Sequence, residues 1–276
     1  MRFLPSLLVI LCLPLAAAGQ TPSTGNSDRG AVQWSCDFES SAPKPWESCG
    51  FVEQKFEDGQ PRASIVSTHS RDGRKAVRLL TKPADSGVSN SNASVRNDLR
   101  LGNGLTDCGP GKDQWWAHST LFPDDFHPPA GGAGEFGVFF DFHHAGPMGD
   151  EGQANFHATM TGNRIAFFGF GGETVAHHST DPGLFRGFAV IDPIKRNVWY
   201  DFVYHVRWSP DADGFFKAWV NGKLMVDHHG PTLYRNHTCY LKLANYHTQT
   251  EQNSAIIHDR VKRGTSAAAV TNWQLQ

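Results

Sequence analysis

Apolar and polar side chains alternate along many short segments of this chain, beginning at residue 32. Side chains two apart point to the same face of a β-strand, so this pattern predicts strands with one buried and one polar face. Turn-forming residues such as Asn221-Gly222 and the stretch 209–214 (SPDADG) separate the segments and are typical of hairpins. The predicted strands are 32–38, 75–80, 94–101, 115–122, 136–143, 164–170, 198–208, 215–220 and 239–246.

No long segment has the period of an amphipathic helix, and no linker or internal repeat divides the chain. We therefore expect residues 31–276 to form one all-β domain, since β-sandwiches of this size often fold as single units. Strands that bury one face pack most simply as two sheets. We predict a two-sheet antiparallel β-sandwich of jelly-roll type.

The first 30 residues differ from this pattern and are predicted to be an export signal with a linker. Arg2 precedes an apolar run that ends in small residues at 16–19 (AAAG), the arrangement of a secretory signal peptide. The run is shorter than the roughly 20 residues that a membrane span needs. We expect a signal peptide at 1–19, a flexible leader at 20–30 and a secreted protein, extracellular or, in a bacterium, periplasmic.

Signal cleavage would remove Cys12 and leave four cysteines, Cys36, Cys49, Cys108 and Cys239. An even number in an exported chain favours two disulfides, with three possible pairings. Closeness in sequence favours Cys36–Cys49, which leaves Cys108–Cys239. No Cys or His spacing typical of a structural zinc site occurs.

Composition and charge exclude some classes of partner. The 25 Lys and Arg residues nearly balance 27 Asp and Glu, for a net charge of −2. A nucleic-acid-binding domain usually carries a clear basic excess, and no later segment is apolar enough to cross a bilayer. We therefore expect neither nucleic acid nor a membrane as a partner, and any functional charge must be local.

Three predicted strands carry titratable side chains on the face opposite their apolar residues. A single strand of this kind is usually ordinary solvated surface. Three that together combine Arg, His, Lys and Tyr indicate a binding surface. These side chains are Arg96, Asp98 and Arg100 on 94–101, Asp141 and His143 on 136–143, and Tyr240, Lys242 and Tyr246 on 239–246.

The same three strands resemble those of the jelly-roll polysaccharide lyases. Residues 96–100 (RNDLR) resemble their Arg-x-Glu-Leu-Arg strand, 140–143 (FDFH) stand where they carry Gln-x-His, and 240–246 (YLKLANY) resemble their Tyr-x-Lys-x-Gly-x-Tyr strand. Residues 204–234 are similar to a strand pair of the heparinase I and glucuronan lyase branch. The motifs occur in family order over most of the mature chain. The resemblance, which extends to alginate lyases, implies a concanavalin-like sandwich with a concave substrate cleft.

The resemblance also implies a reaction. These lyases cleave a uronic-acid polymer by β-elimination, in which a base removes the C5 proton and an acid protonates the departing O4. The neighbouring carboxylate must first be neutralised, because the C5 proton is otherwise too weakly acidic. By resemblance, Arg96 neutralises the carboxylate, His143 is the base or a neutraliser, and Tyr246 is the acid. In a syn elimination, Tyr246 would be both base and acid.

Further residues are assigned to substrate binding. By resemblance, Lys242 and Arg100 hold flanking uronates, and Tyr240 stacks on a sugar or hydrogen-bonds to it. Asn97 is included because related glucuronan lyases use an asparagine as neutraliser, although alternation turns it to the opposite face. His118 is a further candidate cleft residue, with a structural imidazole as the ordinary alternative.

Asp141 departs from the family pattern, which has Gln at this position. A carboxylate beside the substrate carboxylate would repel it. Asp141 is therefore expected to be protonated, bound to a cation, or paired with Arg96 or Lys242.

Three hypotheses follow for the function. The first is a lyase that acts as a monomer on an anionic polysaccharide, with glucuronan foremost and alginate and heparin-like polymers open. The second is a non-catalytic carbohydrate-binding jelly roll that has lost the reaction. The third, a glycoside hydrolase, is disfavoured because closely spaced Glu residues are missing. No cofactor is required, although the Asp pairs at 124–125 and at 211 and 213 leave a structural calcium ion open.

Overall fold

The computed structural model describes residues 30–276 except 84, 86–93, 103, 130–134, 147–151, 179 and 182–184, and omits the side chains of 185–190. The predicted signal peptide and leader, apart from Gly30, lie outside the described residues. Strands dominate the described part of the chain, and its two helices have four residues each. In chain order the elements are β1 (Val32–Cys36), α1 (Pro45–Ser48), β2 (Phe51–Glu53), β3 (Ala63–Val66), β4 (Ala76–Thr81), β5 (Ser94–Leu101), β6 (Asp113–Leu121), β7 (Gly137–Ala145), β8 (Phe156–Thr161), β9 (Arg164–Gly169), β10 (Phe185–Ile191), β11 (Trp199–Arg207), β12 (Phe215–Val220), β13 (Lys223–His229), β14 (Thr238–Thr248), β15 (Ser254–Gly264) and α2 (Ala267–Val270).

The strands form two sheets, and all their pairings are antiparallel. The eight-stranded sheet has the order β13-β12-β11-β6-β15-β4-β3, with β1 paired to β15. The seven-stranded sheet has the order β10-β9-β8-β7-β14-β5-β2. The predicted two-sheet antiparallel jelly-roll sandwich is confirmed. No described helix is long and apolar enough to span a bilayer.

Aromatic side chains fill the space between the sheets. Phe140 and Phe142 of β7 are at most 1% exposed and pack against residues of the opposite sheet. Phe140 stacks on Tyr204 with ring centres 5.2 Å apart, and Phe142 meets Trp208 edge-on at 5.1 Å. Each such ring removes a large apolar area from water, so these contacts hold β7 against the other sheet.

Every predicted strand falls on an observed one, and 94–101 and 215–220 match β5 and β12 to the residue. The hairpin turn at Asn221-Gly222 is confirmed, with φ values of 49° and 83°. Alternation missed other strands, of which β15 is the most central because it lies between β6 and β4. Its register against β6 shifts between Asp259 and Lys262, and Arg260 has a φ of 57°. This bulge interrupts the period of two on which the prediction depends.

A bulge also corrects the predicted faces of β7. Alternation places Val138 with Phe140 on the core face, but the register of β7 shifts against both neighbouring strands. Val138 instead lies directly opposite Tyr246, while Phe139 and Phe140 both enter the core. An extra residue in one strand inverts its alternation beyond that point.

Two disulfides form, Cys36–Cys49 and Cys108–Cys239, and the favoured pairing is confirmed. The second bond joins Cys108, in the loop before β6, to Cys239, the second residue of β14. It therefore anchors the N-terminal end of the strand that carries Tyr240 and Lys242.

Loss of Cys108–Cys239 should destabilise the fold more than loss of Cys36–Cys49, because the two bonds span 131 and 13 residues of chain. In the loop-entropy account, a closed loop of about 100 residues contributes roughly 4.7 kcal/mol and one of about 15 residues roughly 3 kcal/mol. Denaturant unfolding of the double Cys→Ala variants should rank them in this order. Equal losses would contradict the expectation.

Candidate active site

Strand β14 lies between β5 and β7 in the seven-stranded sheet, so the three strands singled out by sequence are direct neighbours. Tyr246 pairs with Arg96, and Lys242 pairs with Arg100. The guanidinium of Arg96 lies 3.9 Å from the ring centre of Tyr246, and that of Arg100 lies 3.8 Å from the ring centre of Tyr240. Two Arg–Tyr stacks therefore flank Lys242 along one face. We call this surface, formed by the eight titratable side chains predicted from the three strands, the polar face.

The β7 edge of the polar face brings His143 beside Tyr240. These two residues are directly opposed, and their rings stack with centres 5.3 Å apart. His143 Nδ1 is 3.0 Å from the carbonyl oxygen of His144, which only accepts hydrogen bonds. Nδ1 therefore carries the proton and Nε2 has a free lone pair in the neutral ring. Burial, together with the charge of Lys242, lowers the pKa of His143 well below its ordinary value, so the ring is neutral at pH 7.

One ammonium group serves two buried carboxylates. Lys242 Nζ is 3.0 Å from Asp141 Oδ2 and 3.5 Å from Asp98 Oδ2. Asp98 Oδ2 is also 3.6 Å from Nε of Arg96. Burial opposes the charge on Lys242, but Asp141 and Asp98 outweigh it and raise the lysine pKa. The lysine is therefore charged, and of the alternatives expected for Asp141 the pairing with Lys242 is present.

The pKa of Asp141 lies close to neutral pH. Burial raises its pKa to about 6, with a smaller upward contribution from Asp98, although Lys242 pulls the pKa down. The side chain is 4% exposed. Asp141 therefore titrates about two pH units above an ordinary aspartic acid, whose pKa is about 3.9.

His157 on β8 belongs to the site and was not predicted from the sequence. It lies directly opposite Asp141, and burial lowers its pKa to about 4, so it is neutral at pH 7. Its strand, 156–161 (FHATMT), alternates between Phe156, Ala158 and Met160 in the core and polar residues outside. That alternation was the available signal.

The polar face has an excess of positive charge. It holds three cations, Arg96, Arg100 and Lys242, against two carboxylates. Because both His143 and His157 are neutral, the excess amounts to about one charge when both acids are ionised. A nearly neutral protein can thus present a local field that attracts an anionic polymer.

Comparison with known proteins identifies the family. The family profile described as polysaccharide lyase matches residues 39–262, most of the chain. The chain belongs to the polysaccharide lyase family. No curated protein sequence matches it.

Solved structures share the fold of this lyase. The endo-β-1,4-glucuronan lyase from the fungus Trichoderma reesei aligns with a TM-score of 0.60 and 13% identity, over 81% of this chain and 98% of that one. The marine PL-14 alginate lyase from Aplysia kurodai aligns at 0.54 and 12%, over 86% and 100%. A GH131 β-glucanase catalytic domain from Podospora anserina aligns at 0.52 and 10%, over 87% and 100%. Because a glucanase shares the fold, the reaction has to be argued from side chains.

Two predicted site residues of the lyase lie away from the polar face. Asn97 is fully buried between the sheets, where its Nδ2 donates to the carbonyl oxygen of Leu80. His118 lies on β6 of the other sheet and stacks between Phe140 and Phe202, at 4.0 and 4.8 Å. Alternation places Asn97 correctly, and the resemblance to an asparagine neutraliser does not. Both residues are therefore removed from the candidate substrate contacts.

The aspartates considered for a calcium ion lie outside the polar face and contact protein donors. Among the described residues, no three His, Cys, Asp or Glu side chains converge on one point. The contacts are Asp124 with Asn197, Asp125 with Arg78, Asp211 with Arg235, and Asp213 with Arg207.

A chain of buried polar groups connects the other sheet to the backbone of β14. Tyr204 Oη lies 3.0 Å from His118 Nε2, and His118 Nδ1 lies 3.2 Å from Thr120 Oγ1. Thr120 Oγ1 lies 3.0 Å from His258 Nδ1, and His258 Nε2 lies 3.3 Å from the carbonyl oxygen of Ala244. Ala244 stands on β14 between Lys242 and Tyr246, so the chain supports the middle of the polar face from beneath.

Each hydrogen bond in this chain has one allowed direction. The carbonyl of Ala244 only accepts, so His258 Nε2 donates to it. Burial lowers the pKa of His258 to about 3, so the ring is neutral and its Nδ1 accepts from the hydroxyl of Thr120. Because Thr120 has already donated its one proton, it accepts from His118 Nδ1. Burial also keeps His118 neutral, so its Nε2 carries a lone pair. Tyr204 donates to the remaining nitrogen.

Thr120→Val should destabilise the lyase, because it leaves one buried histidine donor and one buried histidine acceptor unpaired. Each unpaired group costs about 1–3 kcal/mol, which predicts a loss of roughly 2–6 kcal/mol for the two. Thr120→Ser keeps the hydroxyl and is the matched control, with an expected loss below about 1.5 kcal/mol. Urea unfolding measures the stability of both variants. A valine variant as stable as the serine variant would refute the proposed chain of hydrogen bonds.

Proposed function

We propose that this lyase is secreted and cleaves a 1,4-linked uronic-acid polymer by β-elimination, with glucuronan as its first candidate substrate. The observation that carries the proposal is the alignment of Arg96, Lys242 and Arg100 with two tyrosines on one sheet face. The two disulfides are compatible with an oxidising compartment.

The cations of the polar face can neutralise the substrate carboxylate, which the reaction requires. A uronate C5 proton becomes removable only when the adjacent carboxylate is neutralised, because negative charge then spreads into that group. Arg96 is more exposed than Lys242, with 28% against 7% of the side chain accessible, and it lies directly against Tyr246. We assign Arg96 to the carboxylate of the reacting sugar, with Lys242 behind it.

The family resemblance assigns His143 and Tyr246 to the same reacting sugar, but the spacing along β14 favours two different sugars. Tyr246 and Tyr240 are six residues apart, which is roughly 20 Å of strand at about 3.3 Å per residue. His143 is opposite Tyr240, so it serves a different sugar from Tyr246. We therefore assign both proton transfers to Tyr246. Its phenolate oxygen takes the C5 proton, the C4–O4 bond breaks as the C4–C5 double bond forms, and the phenol then protonates the departing O4, which regenerates the phenolate. His143, Tyr240 and Arg100 hold a flanking uronate.

The use of one residue as base and acid limits the sugar. The C5 proton and O4 must leave from the same face of the ring, as they do in glucuronate and mannuronate. In guluronate and galacturonate they lie on opposite faces. The assignment therefore favours glucuronan and polymannuronate.

Ultraviolet absorbance of the unsaturated product tests the reaction on purified protein with glucuronan, polymannuronate, polyguluronate and polygalacturonate. We expect cleavage of one or both of the first two, at least about 100-fold faster than of the others. Binding of a polyuronate without cleavage would support the carbohydrate-binding alternative. New reducing ends without unsaturation would indicate hydrolysis.

Tyr246→Phe should lower kcat by about 10³-fold with little change in substrate affinity, because it removes the proton-transferring oxygen and keeps the ring beneath Arg96. Tyr240→Phe is the matched control: it lies on the same strand, against the other arginine, and should keep kcat within about threefold. Full activity of Tyr246→Phe, or an equal loss in both variants, would contradict the assignment.

A further inference from the structure

Asp141 is surrounded by titratable and charged groups from its own strand and from the strands packed beside it. They are Lys242 on β14, Asp98, Arg96 and Arg100 on β5, His157 on β8 and His143 on β7. The two histidines are neutral at pH 7, so the positive charge near Asp141 comes from Lys242 and the arginines.

The two carboxylates of the cluster compete for the same ammonium. Oδ2 of Asp141 and Oδ2 of Asp98 both contact Lys242 Nζ, at 3.0 and 3.5 Å. In each residue Oδ1 is buried and has no hydrogen-bond partner within the described part of the chain. Buried carboxylate oxygens without partners are costly while the group is ionised. Each of the two carboxylates thus keeps one buried oxygen that no hydrogen bond among the described residues satisfies.

A bound polyuronate would add a third carboxylate to this cluster. At roughly 5 Å and an effective dielectric constant of about 20, one added negative charge raises the proton affinity of a carboxylate on the order of a hundredfold. Asp98 keeps a second cation, Arg96, at 3.6 Å. Among the described residues, Asp141 has only one cation within 4 Å, Lys242. Asp141 is therefore the carboxylate that should take the proton.

We propose that Asp141 takes up a proton from solvent when the site binds an anionic polysaccharide, and that this uptake releases the ammonium of Lys242 to the substrate carboxylate. This inference rests on the proposed function for the identity of the ligand. It makes Asp141 a positioning residue that acts through Lys242.

The titration range of Asp141 fits this role. Burial raises its pKa to about 6, so the free protein has Asp141 mostly ionised at pH 7. A proton gained on binding makes affinity fall as pH rises above the free pKa. Between pH 6 and pH 8 the Kd should therefore increase by roughly tenfold or more.

Isothermal titration calorimetry of Tyr246→Phe with a glucuronate oligosaccharide tests the uptake without turnover. Titrations at pH 7 in phosphate and in Tris give the number of protons from the dependence on buffer ionisation enthalpy. We expect uptake of about half to one proton per site, falling towards zero at pH 5, where Asp141 is already protonated. No uptake at pH 7 would overturn the proposal.

Two variants in the same background locate the proton. Asp141→Asn imitates the protonated acid, so it should abolish the uptake, make the Kd nearly independent of pH and bind more tightly than its parent at pH 8. Asp98→Asn removes the other carboxylate on Lys242 and should keep the uptake, displaced to lower pH. Uptake that persists in Asp141→Asn and disappears in Asp98→Asn would assign the proton to Asp98 and refute the proposal.

The absorbance assay on the unaltered protein separates the two proposals. Cleavage without proton uptake overturns the role of Asp141 and leaves the lyase assignment intact. Uptake on binding without cleavage of any polyuronate supports Asp141 and overturns the proposed reaction. Absence of binding to the glucuronate oligosaccharide at every pH overturns the role of Asp141.

Discussion

The contact of Lys242 with both Asp141 and Asp98 is the interaction on which the rest of the site depends. The charge of a lysine side chain that is 7% exposed is tolerated because two carboxylates lie within 3.5 Å of its ammonium. The same arrangement brings negative charge to the surface that, in the proposed function, accepts a polyanion. The site therefore combines a stable ion pair in the free protein with a cation that must serve the substrate. The proposed protonation of Asp141 reconciles these two requirements.

Strand β14 holds the site side chains in place because residues on both of its faces make contacts. Its polar face carries Lys242 and Tyr246, while Asn245 and His247 project into the interior. Asn245 Nδ2 donates to the carbonyl of Ser254 at 2.8 Å, and His247 Nε2 lies 2.9 Å from the hydroxyl of Thr81. The hydrogen-bonded chain that ends at Ala244 adds a third link to the other sheet. Buried, fully directed hydrogen bonds leave little freedom for the strand that presents Tyr246.

The fold itself leaves the reaction open. A glucuronan lyase, an alginate lyase and a β-glucanase all superpose on this chain at 10–13% identity. The side chains on one sheet face therefore decide the chemistry, and the core aromatics serve only to hold that sheet. In this lyase the carboxylates are paired with a lysine, whereas hydrolysis of a glycoside requires two acids on either side of the scissile bond.

The sequence by itself determined the strands with regular alternation, the faces of β5 and β14 and the favoured disulfide pairing, since these follow from local periods and chain separation. It also placed Asn97 away from the polar face, where alternation overruled family resemblance. Tertiary structure decided the rest. The bulge in β7, the position of His157 beside Asp141 and the distance between His143 and Tyr246 all follow from register between strands far apart in sequence. The two-residue period of a strand predicts the face on which a side chain lies. Only the pairing with a neighbouring strand shows which residue lies beside it.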